Sequence, residues 1–405
     1  MLVLGLLLLT LPPAPAAQDG TRVHVAVEGG YGLEEGATSG GADHVWASYD
    51  PTRLAFTGWE GSAARWLEHP RRWHTVLRLP DDLAPPPDGL TLRATFVELP
   101  AAAETLSFDV PDLERRREVL FAAPDGTPRG VVLFFPDTGG SARSLLKPEA
   151  WTFAQELLRR GFLVASLAAT ELVVGDRDGD GKRKWDTVHG RPEKNDDLRV
   201  AAAARAALEG AGLVPPGTPV FASGIGHGGV FAMLAASALG WDGAAVWCAG
   251  KAGAGYPKRP VPTSMVLVAN ERLPYAAPDK GAKTAELLEE AGLPYRLEVL
   301  EASPLRAQRL VDRAGWEPER AEAFLEALVA NAVLDASGLP LPHPLQVMGR
   351  IEHETRNFKM LHELSRGEEA RAKAALAQVE VALALHRFSG RPAPEVVDFL
   401  ESLLE

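Results

Sequence analysis

The sequence predicts an α/β domain with a parallel sheet covered by helices on both faces, preceded by a small β domain. In residues 117–405, buried-strand patterns alternate with amphipathic helical patterns, and this alternation is typical of a parallel sheet between helices. In residues 18–98, short alternating apolar runs are separated by Gly and Pro clusters, which is typical of strands without long helices. The chain therefore divides into two units of different class.

The first residues, 1–17, have the pattern of a secretory signal peptide. An apolar run from Leu2 to Leu11 is followed by a Pro-Pro break and small residues. The run is about half of the roughly 20 residues that a membrane-spanning helix needs, so we expect no integral membrane protein. The pattern predicts a secreted or periplasmic protein of the cell envelope; the alternatives are a wrongly assigned start and a short anchor.

The formal charge of -12 restricts the partners that the protein can bind, and its cysteine content restricts the disulfides that it can form. Nucleic acids and anionic membranes are bound by clustered Lys and Arg, so we expect no nucleic-acid partner. Cys248 is the single cysteine, which excludes an internal disulfide. The folded chain must therefore be stabilised by packing.

The small β domain, residues 18–98, also contains segments that are similar to a known sequence repeat. Segments 29–32 (Gly-Gly-Tyr-Gly), 56–61 (Phe-Thr-Gly-Trp-Glu-Gly) and 90–96 resemble the divergent internalin-type B repeats of bacterial surface proteins. Such modules are usually accessory, so the resemblance implies no chemistry here. The Pro- and Ala-rich segment that follows predicts a linker over residues 99–116.

In the larger domain, the pattern predicts strands and helices in alternation. The expected strands are Val131–Phe135, Phe162–Leu167, Pro219–Ser223, Ser264–Ala269, Tyr295–Leu300 and Val379–Leu385. The expected helices are Trp151–Arg160, Asn195–Gly212, Gly228–Leu239, Lys280–Ala291 and Ala393–Leu404. A mostly helical interruption over about 305–375, clearest at Ala321–Ala332, is interpreted as a cap inserted late in the sheet.

A glycine-rich turn lies between the predicted strand Pro219–Ser223 and the helix that follows, and reads Gly-Ile-Gly-His-Gly-Gly over residues 224–229. With its surroundings it resembles secreted α/β-hydrolase-fold esterases of the dienelactone-hydrolase-like and polyester-depolymerase-like kind. The similarity runs from about Val119 to the C-terminus and includes segments 183–185, 247–249 and 303–305. It implies an α/β-hydrolase fold and no required cofactor.

The resemblance places Gly226 where these enzymes carry the nucleophilic serine of Gly-x-Ser-x-Gly. Glycine has no hydroxyl, so covalent acyl-enzyme chemistry cannot start there. The alternative is that the turn is an ordinary connection between a strand and a helix. Ser223, three residues earlier, is expected on the strand and is interpreted as structural.

The oxyanion-binding groups implied by the resemblance are the backbone N–H of His227 and the loop 136–141, with Thr138 and Gly139 as its candidates. Asp137 departs from the expected pattern, because a carboxylate that points inward opposes developing negative charge. The His227 imidazole is either a new functional group or an ordinary solvated histidine.

The resemblance also implies a general base and an orienting acid. His386, after the last predicted strand, matches the place of the base, the alternative being a surface histidine. Glu271, just past strand Ser264–Ala269, matches the place of the acid, with Asp279 as the alternative.

An acidic loop gives a candidate calcium site. Asp176, Asp178 and Asp180, followed by Gly181, match the first half of an oxygen-rich calcium loop. Position twelve is Thr187 instead of the bidentate Glu, so a solvated acidic turn is the alternative. The pairs 353–354 and 362–363, both His-Glu, lack the His-Glu-x-x-His spacing of a zinc site.

The leading interpretation is a secreted, catalytically silent hydrolase homologue that binds a small ester, a polymer fragment or an envelope protein. In one alternative, His386 and Glu271 activate a water in the space left by Gly226, which gives weak ester hydrolysis. In the other, the protein is a cell-envelope scaffold in which the small β domain is the functional part.

Overall fold

A computed structural model describes residues 22–84, 86–98, 102–113, 115–253, 256–341 and 369–405. The predicted signal peptide and the histidine pairs at 353–354 and 362–363 lie outside these ranges. None of the helices within them has both the length and the apolar character needed to cross a lipid bilayer.

The small β domain consists of short strands around an aromatic core. Trp46, Tyr49, Phe56, Trp59 and Trp73 are all buried in it. Two three-stranded sheets have the orders β2-β8-β6 and β3-β5-β7, and β1 pairs with β4. The strands are β1 Arg22–Val23, β2 Val25–Glu28, β3 Gly30–Tyr31, β4 Ala37–Thr38, β5 Asp43–Ala47, β6 Leu54–Glu60, β7 His74–Leu77 and β8 Leu90–Glu98. The predicted β class of this domain is confirmed, whereas its relation to B repeats stays a prediction.

The larger domain is built on an eight-stranded sheet with the order β16-β15-β14-β13-β11-β12-β10-β9. Strand β10 is antiparallel to both of its neighbours and the other pairs are parallel. The strands are β9 Glu104–Phe108, β10 Arg117–Ala122, β11 Gly130–Phe135, β12 Phe162–Ser166, β13 Val220–Ile225, β14 Gly243–Trp247, β15 Thr263–Val268 and β16 Tyr295–Leu300. This order, in which the third and fourth strands along the chain exchange places, is that of the α/β-hydrolase fold, so the predicted fold class is confirmed.

Helices cover both faces of this sheet, because the strands of its centre are apolar on both sides. Helices α3, α4 and α5 pack on one face, and α1 and α9 on the other. The helices are α1 Pro148–Arg159, α2 Thr170–Val174, α3 Asp196–Gly210, α4 His227–Leu239, α5 Pro278–Glu290, α6 Ala307–Ala314, α7 Pro318–Ala330, α8 Glu369–Ala382 and α9 Ala393–Glu401.

Two predicted elements are wrong. The expected linker 99–116 contains β9, which forms the edge strand of the large sheet by pairing with β10. The expected strand Val379–Leu385 belongs largely to α8. The expected strand is a short run that is apolar except for Glu380, a pattern that suits a strand or a buried helix equally. The buried residues of α8 are Ala375, Gln378, Val379 and Ala382, which share one helical face.

The described helices of the expected insertion, α6 to α8, lie between β16 and α9. Since β16 is the last strand along the chain, they follow the sheet and do not interrupt it, and none of their residues lines the cavity described below. Helix α6 contacts the small β domain. The guanidinium of Arg313 lies 4.2 Å from the ring centre of Trp73 and 4.7 Å from that of Tyr49. Arg309 lies 5.1 Å from Trp73 and also donates to Glu149 of α1 at 3.2 Å. The described part of the insertion therefore joins the two domains.

A third buried arginine, Arg72, fixes the small domain to the sheet. Arg72, 3% exposed, donates two parallel hydrogen bonds to Glu298 of β16, at 2.8 and 3.0 Å, and a third to Glu395 of α9 at 2.9 Å. Such a bidentate pair is specific in geometry as well as strong. Nearby, the exposed Arg71 pairs with Asp398 of α9.

We expect Arg72→Met to lower the free energy of unfolding by about 3 kcal/mol, because Glu298 and Glu395, both partly buried, lose three hydrogen bonds from a buried guanidinium. Chemical denaturation followed by tryptophan fluorescence measures this loss. Arg71→Met is the matched control and should cost at most about 1 kcal/mol, because that pair is solvent-exposed. Equal losses in the two variants would contradict a role for Arg72 in holding the domains together.

Candidate active site

The candidate site is built around the turn between β13 and α4. Gly226 occupies this turn with φ 56° and ψ -124°, a conformation that costs a residue with a side chain about 1–3 kcal/mol. Close packing fixes the next glycine as well, since a Cβ on Gly228 would lie 2.2 Å from the carbonyl oxygen of Phe135. The chain thus keeps the sharp strand-to-helix turn of a nucleophile elbow without a nucleophile on it.

The carboxylate of Asp137 takes the space that a side chain at residue 226 needs. A Cβ built on Gly226 would lie 2.4 Å from Asp137 Oδ1, 2.6 Å from its Cγ and 2.7 Å from His386 Nε2. Real Cβ atoms do not approach other atoms this closely. A serine therefore fits at this turn only if both Asp137 and the ring of His386 shift.

Asp137 also binds the two amides that were expected to hold an oxyanion. Its Oδ1 accepts hydrogen bonds from the backbone N–H of His227 at 2.9 Å and of Thr138 at 2.8 Å. Gly139 does not join this pair, because its N–H donates to the carbonyl of Arg183 at 2.7 Å. The sequence left the direction of Asp137 open; the structure places it inward.

The structure brings His386 and Glu271 together beside this carboxylate. His386 Nδ1 lies 2.7 Å from Oε2 of Glu271, whose side chain is fully buried. His386 Nε2 lies 3.4 Å from Asp137 Oδ2, an ion-pair distance at which no well-aligned hydrogen bond forms. Asp279, the alternative acid, is exposed on α5 and pairs with Lys280.

The electrostatics of this site favour a charged imidazole. Burial disfavours the charge, but the carboxylates of Asp137 and Glu271 outweigh burial and raise the pKa of His386 to about 9. Burial likewise opposes ionisation of Asp137, yet His386 and the amides of His227 and Thr138 hold the pKa of this carboxyl below its usual value. At neutral pH His386 is therefore an imidazolium beside the ionised carboxylate of Asp137.

A cavity of about 800 Å³ opens beside Asp137, whose side chain is 34% exposed. This volume falls within the range of small-molecule sites. The His227 imidazole lines it, and burial lowers the pKa of this histidine, so the ring is neutral at pH 7. Other lining residues include Thr138, Thr170, Glu171, Lys184, Trp185, Thr187, Val188, His189, Leu273 and Tyr275.

The acidic loop lies at the rim of this cavity. Carboxylate oxygens of Asp176 and Asp178 lie within 4.8 Å of each other and of Glu171. Asp180 is instead paired with Lys184, which also contacts Asp178 at 2.9 Å. The ammonium of Lys184 thus supplies positive charge where the loop was expected to hold a cation, and calcium binding stays a prediction.

Two features of the site were not predicted as functional. The sequence identifies Asp137 only as a departure from the expected pattern of the oxyanion loop. Its contact with Gly226 depends on how the loop after β11 packs against the start of α4, which no local pattern predicts. Tyr275 lies with its ring centre 6.2 Å from that of His386, and no motif marks it. Ser223 is fully buried on β13, as expected.

The solved structures with a similar fold include three that share 11% to 18% identity with this chain. Neither the known family models nor the curated protein sequences give a match. Among solved structures, the chain is similar to an acylaminoacyl peptidase from Pyrococcus horikoshii, with 11% identity and a TM-score of 0.37. That match covers 56% of this chain and 41% of the peptidase, so the chain corresponds to less than half of the peptidase's length.

Two smaller proteins match about half of this chain. A dienelactone hydrolase from Anabaena variabilis shares 18% identity with a TM-score of 0.35, covering 50% of this chain and 87% of the hydrolase. An α/β serine hydrolase without a lid from Xanthomonas campestris shares 16% identity with a TM-score of 0.36, covering 51% of this chain and 86% of that protein.

We expect Gly226→Ser to destabilise the protein more in the wild-type background than in Asp137→Gly. In the wild type the new side chain must displace a carboxylate held by two amides, whereas in Asp137→Gly the backbone strain of about 1–3 kcal/mol and the close approach to His386 Nε2 remain. A double-mutant cycle of unfolding free energies should give a coupling energy of about 0.5–3 kcal/mol.

The matched control is Gly217→Ser. Gly217 also has a positive φ, of 80°, but a Cβ there meets no atom within 4 Å. Its cost of about 1–2 kcal/mol should be the same with and without Asp137→Gly. If Gly226→Ser is as independent of Asp137 as Gly217→Ser is, the carboxylate does not fill the elbow.

Proposed function

We propose that this protein is an α/β-hydrolase-fold protein without serine-hydrolase activity that binds a small organic ligand in the cavity beside Asp137. The observation that carries the proposal is the position of Asp137. Its carboxylate occupies the space that the nucleophile's side chain needs, and it accepts the hydrogen bonds of the two amides that would bind an oxyanion. An acyl substrate finds neither a hydroxyl nor a free oxyanion hole.

The charge of His386 favours this proposal over ester hydrolysis by an activated water. A general base must be able to accept a proton at the working pH. With a pKa of about 9, His386 already carries that proton at neutral pH. As long as Asp137 and Glu271 are both ionised, the imidazolium cannot activate water.

The cavity favours a small ligand among the three expected partner classes. Its volume of about 800 Å³ suits a small organic molecule, and it adjoins Asp137 and His227. The small β domain gives less support to a scaffold role, because its aromatic residues Trp73 and Tyr49 are buried against the insertion. Export to the envelope remains part of the proposal and is motivated by residues 1–17.

Labelling with a fluorophosphonate probe tests the absence of serine-hydrolase activity. The wild-type chain should not be labelled, because the elbow has no hydroxyl and Ser223 is fully buried. The Gly226→Ser, Asp137→Gly double variant is the matched control, since it supplies a hydroxyl and frees the two amides; it should be labelled at the new serine. Stoichiometric labelling of the wild type at any serine would refute the proposal.

A further inference from the structure

We propose that Cys248, Glu271 and His386 form a binding site for a zinc ion beside the turn at Gly226. The three residues do not line the cavity next to Asp137. The inference is therefore independent of the proposed function, which concerns that cavity and the absent serine.

Three different donor groups meet in this cluster. The sulfur of Cys248, a carboxylate oxygen of Glu271 and a ring nitrogen of His386 all lie within 4.8 Å of one another. Cys248 and the side chain of Glu271 are fully buried, whereas the side chain of His386 is 16% exposed. Thiolate, carboxylate and imidazole are the ligands that proteins use for Zn²⁺. Because Ca²⁺ and Mg²⁺ prefer oxygen ligands alone, the sulfur makes zinc the fitting ion.

The donor atoms are close to the spacing that a tetrahedral ion requires. Zinc–ligand bonds of about 2.0–2.3 Å place the ligand atoms roughly 3.3–3.6 Å apart. Glu271 Oε2 and His386 Nδ1 share a proton at 2.7 Å and must separate by roughly 0.7 Å when the ion replaces that proton. The sulfur must approach the other two atoms by at most about 1.3 Å. Side-chain rotations supply such movements.

The carboxylate of Glu271 is fixed so that one oxygen remains for the ion. Its Oε1 accepts hydrogen bonds from the backbone N–H groups of Arg272 at 2.8 Å and Leu273 at 2.9 Å. Its Oε2 has its contact with His386. Glu271 is thus prepared to bind through a single oxygen, and the two amides orient it for that role.

Hydrogen bonds also connect the three chain segments that carry the ligands. Cys248 follows β14 with φ 49°, in the left-handed region that residues with a side chain rarely adopt, and its N–H donates to the carbonyl of Val266 on β15 at 2.9 Å. Asn270, just before the carboxylate ligand, donates from its backbone to Ala384 at 3.1 Å and from its side chain to Leu383 at 2.9 Å. The segment that leads to the imidazole is therefore tied to the turn after β15, as a preorganised site requires.

The net charge of the cluster stays the same when a divalent ion enters. In the metal-free protein, burial and the carboxylates of Glu271 and Asp137 raise the pKa of the Cys248 thiol, which donates its proton toward the carbonyl of Arg387 at 3.5 Å. His386 carries its extra proton as an imidazolium. An ion with two positive charges that displaces these two protons leaves the buried charge unchanged, and release of ligand protons is the usual accompaniment of zinc binding.

Asp137 provides the outer partner that a metal-bound histidine usually has. Such a histidine donates the N–H of its second ring nitrogen to a carboxylate, a carbonyl or water. His386 Nε2 faces Asp137 Oδ2 at 3.4 Å and has no aligned hydrogen-bond partner among the described residues. A metal ion at Nδ1 keeps the remaining proton on Nε2, where the carboxylate can accept it.

Titration of the chelator-treated protein with Co²⁺, a spectroscopic substitute for zinc, tests the proposal. We expect one cobalt ion per chain, visible absorption bands of a tetrahedral site and a near-ultraviolet band of charge transfer from thiolate to cobalt. Because Cys248 is the single cysteine, the charge-transfer band identifies it as a ligand. An equimolar amount of Zn²⁺ should abolish these bands, since zinc binds such sites more tightly than cobalt.

Three variants assign the ligands, each with circular dichroism to show that it is folded. Asp137→Ala should weaken zinc binding about 10–100-fold, as loss of an outer partner does. Cys248→Ala should lose the charge-transfer band and weaken zinc binding by more than Asp137→Ala does, as measured by competition with a chromophoric chelator. Asp176→Asn is the matched control, because it removes a carboxylate from the second candidate cluster, with Glu171 and Asp178, and should keep both the band and the affinity.

Failure of the folded wild type to bind cobalt would overturn this site. Cobalt binding without the charge-transfer band would also overturn it, and loss of that binding in Asp176→Asn would place the ion at the acidic loop. The proposed lack of serine-hydrolase activity would stand in both cases, because fluorophosphonate labelling tests it without reference to a metal.

Discussion

The carboxylate of Asp137 and a side chain at residue 226 compete for the same space, and the other features of the site depend on which of them occupies it. With glycine at the elbow, Asp137 enters, accepts the two amide hydrogen bonds and comes within 3.4 Å of His386. The turn has the sharp strand-to-helix geometry of a nucleophile elbow, and its positive φ at residue 226 suits glycine. With glycine at residue 226, the site is therefore occupied by the Asp137 carboxylate and is not empty.

The charge balance of the site follows from this exchange. In a serine hydrolase the histidine lies between a neutral hydroxyl and one carboxylate, and it is free to act as a base. Here it lies between two carboxylates, and its pKa is raised to about 9. The same imidazole becomes a base only when one of those charges is removed.

The turn at Gly226 was predictable from the local strand-turn-helix pattern of the sequence. The roles of the His227 amide, His386 and Glu271 were implied by the resemblance to α/β-hydrolase-fold esterases, and the pairing of His386 with Glu271 joins residues that are distant in sequence. The inward direction of Asp137 was not predictable, since it depends on contact between the loop after β11 and the start of α4. The end of helix α8 was mistaken for a strand because residues 379–385 are apolar except for Glu380, and β9 was missed because it pairs only at the edge of the sheet.

The pKa of His386 is the measurement that tests the central claim most directly. An NMR titration of the His386 ring should give a pKa near 9 in the wild type, well above the ordinary 6.5, so that the ring is charged at neutral pH and loses its proton as the pH rises through 9. In Asp137→Asn the value should fall, because one of the two carboxylates has gone. A wild-type pKa at or below 6.5, or one that Asp137→Asn leaves unchanged, would contradict a site in which Asp137 takes the place of the serine.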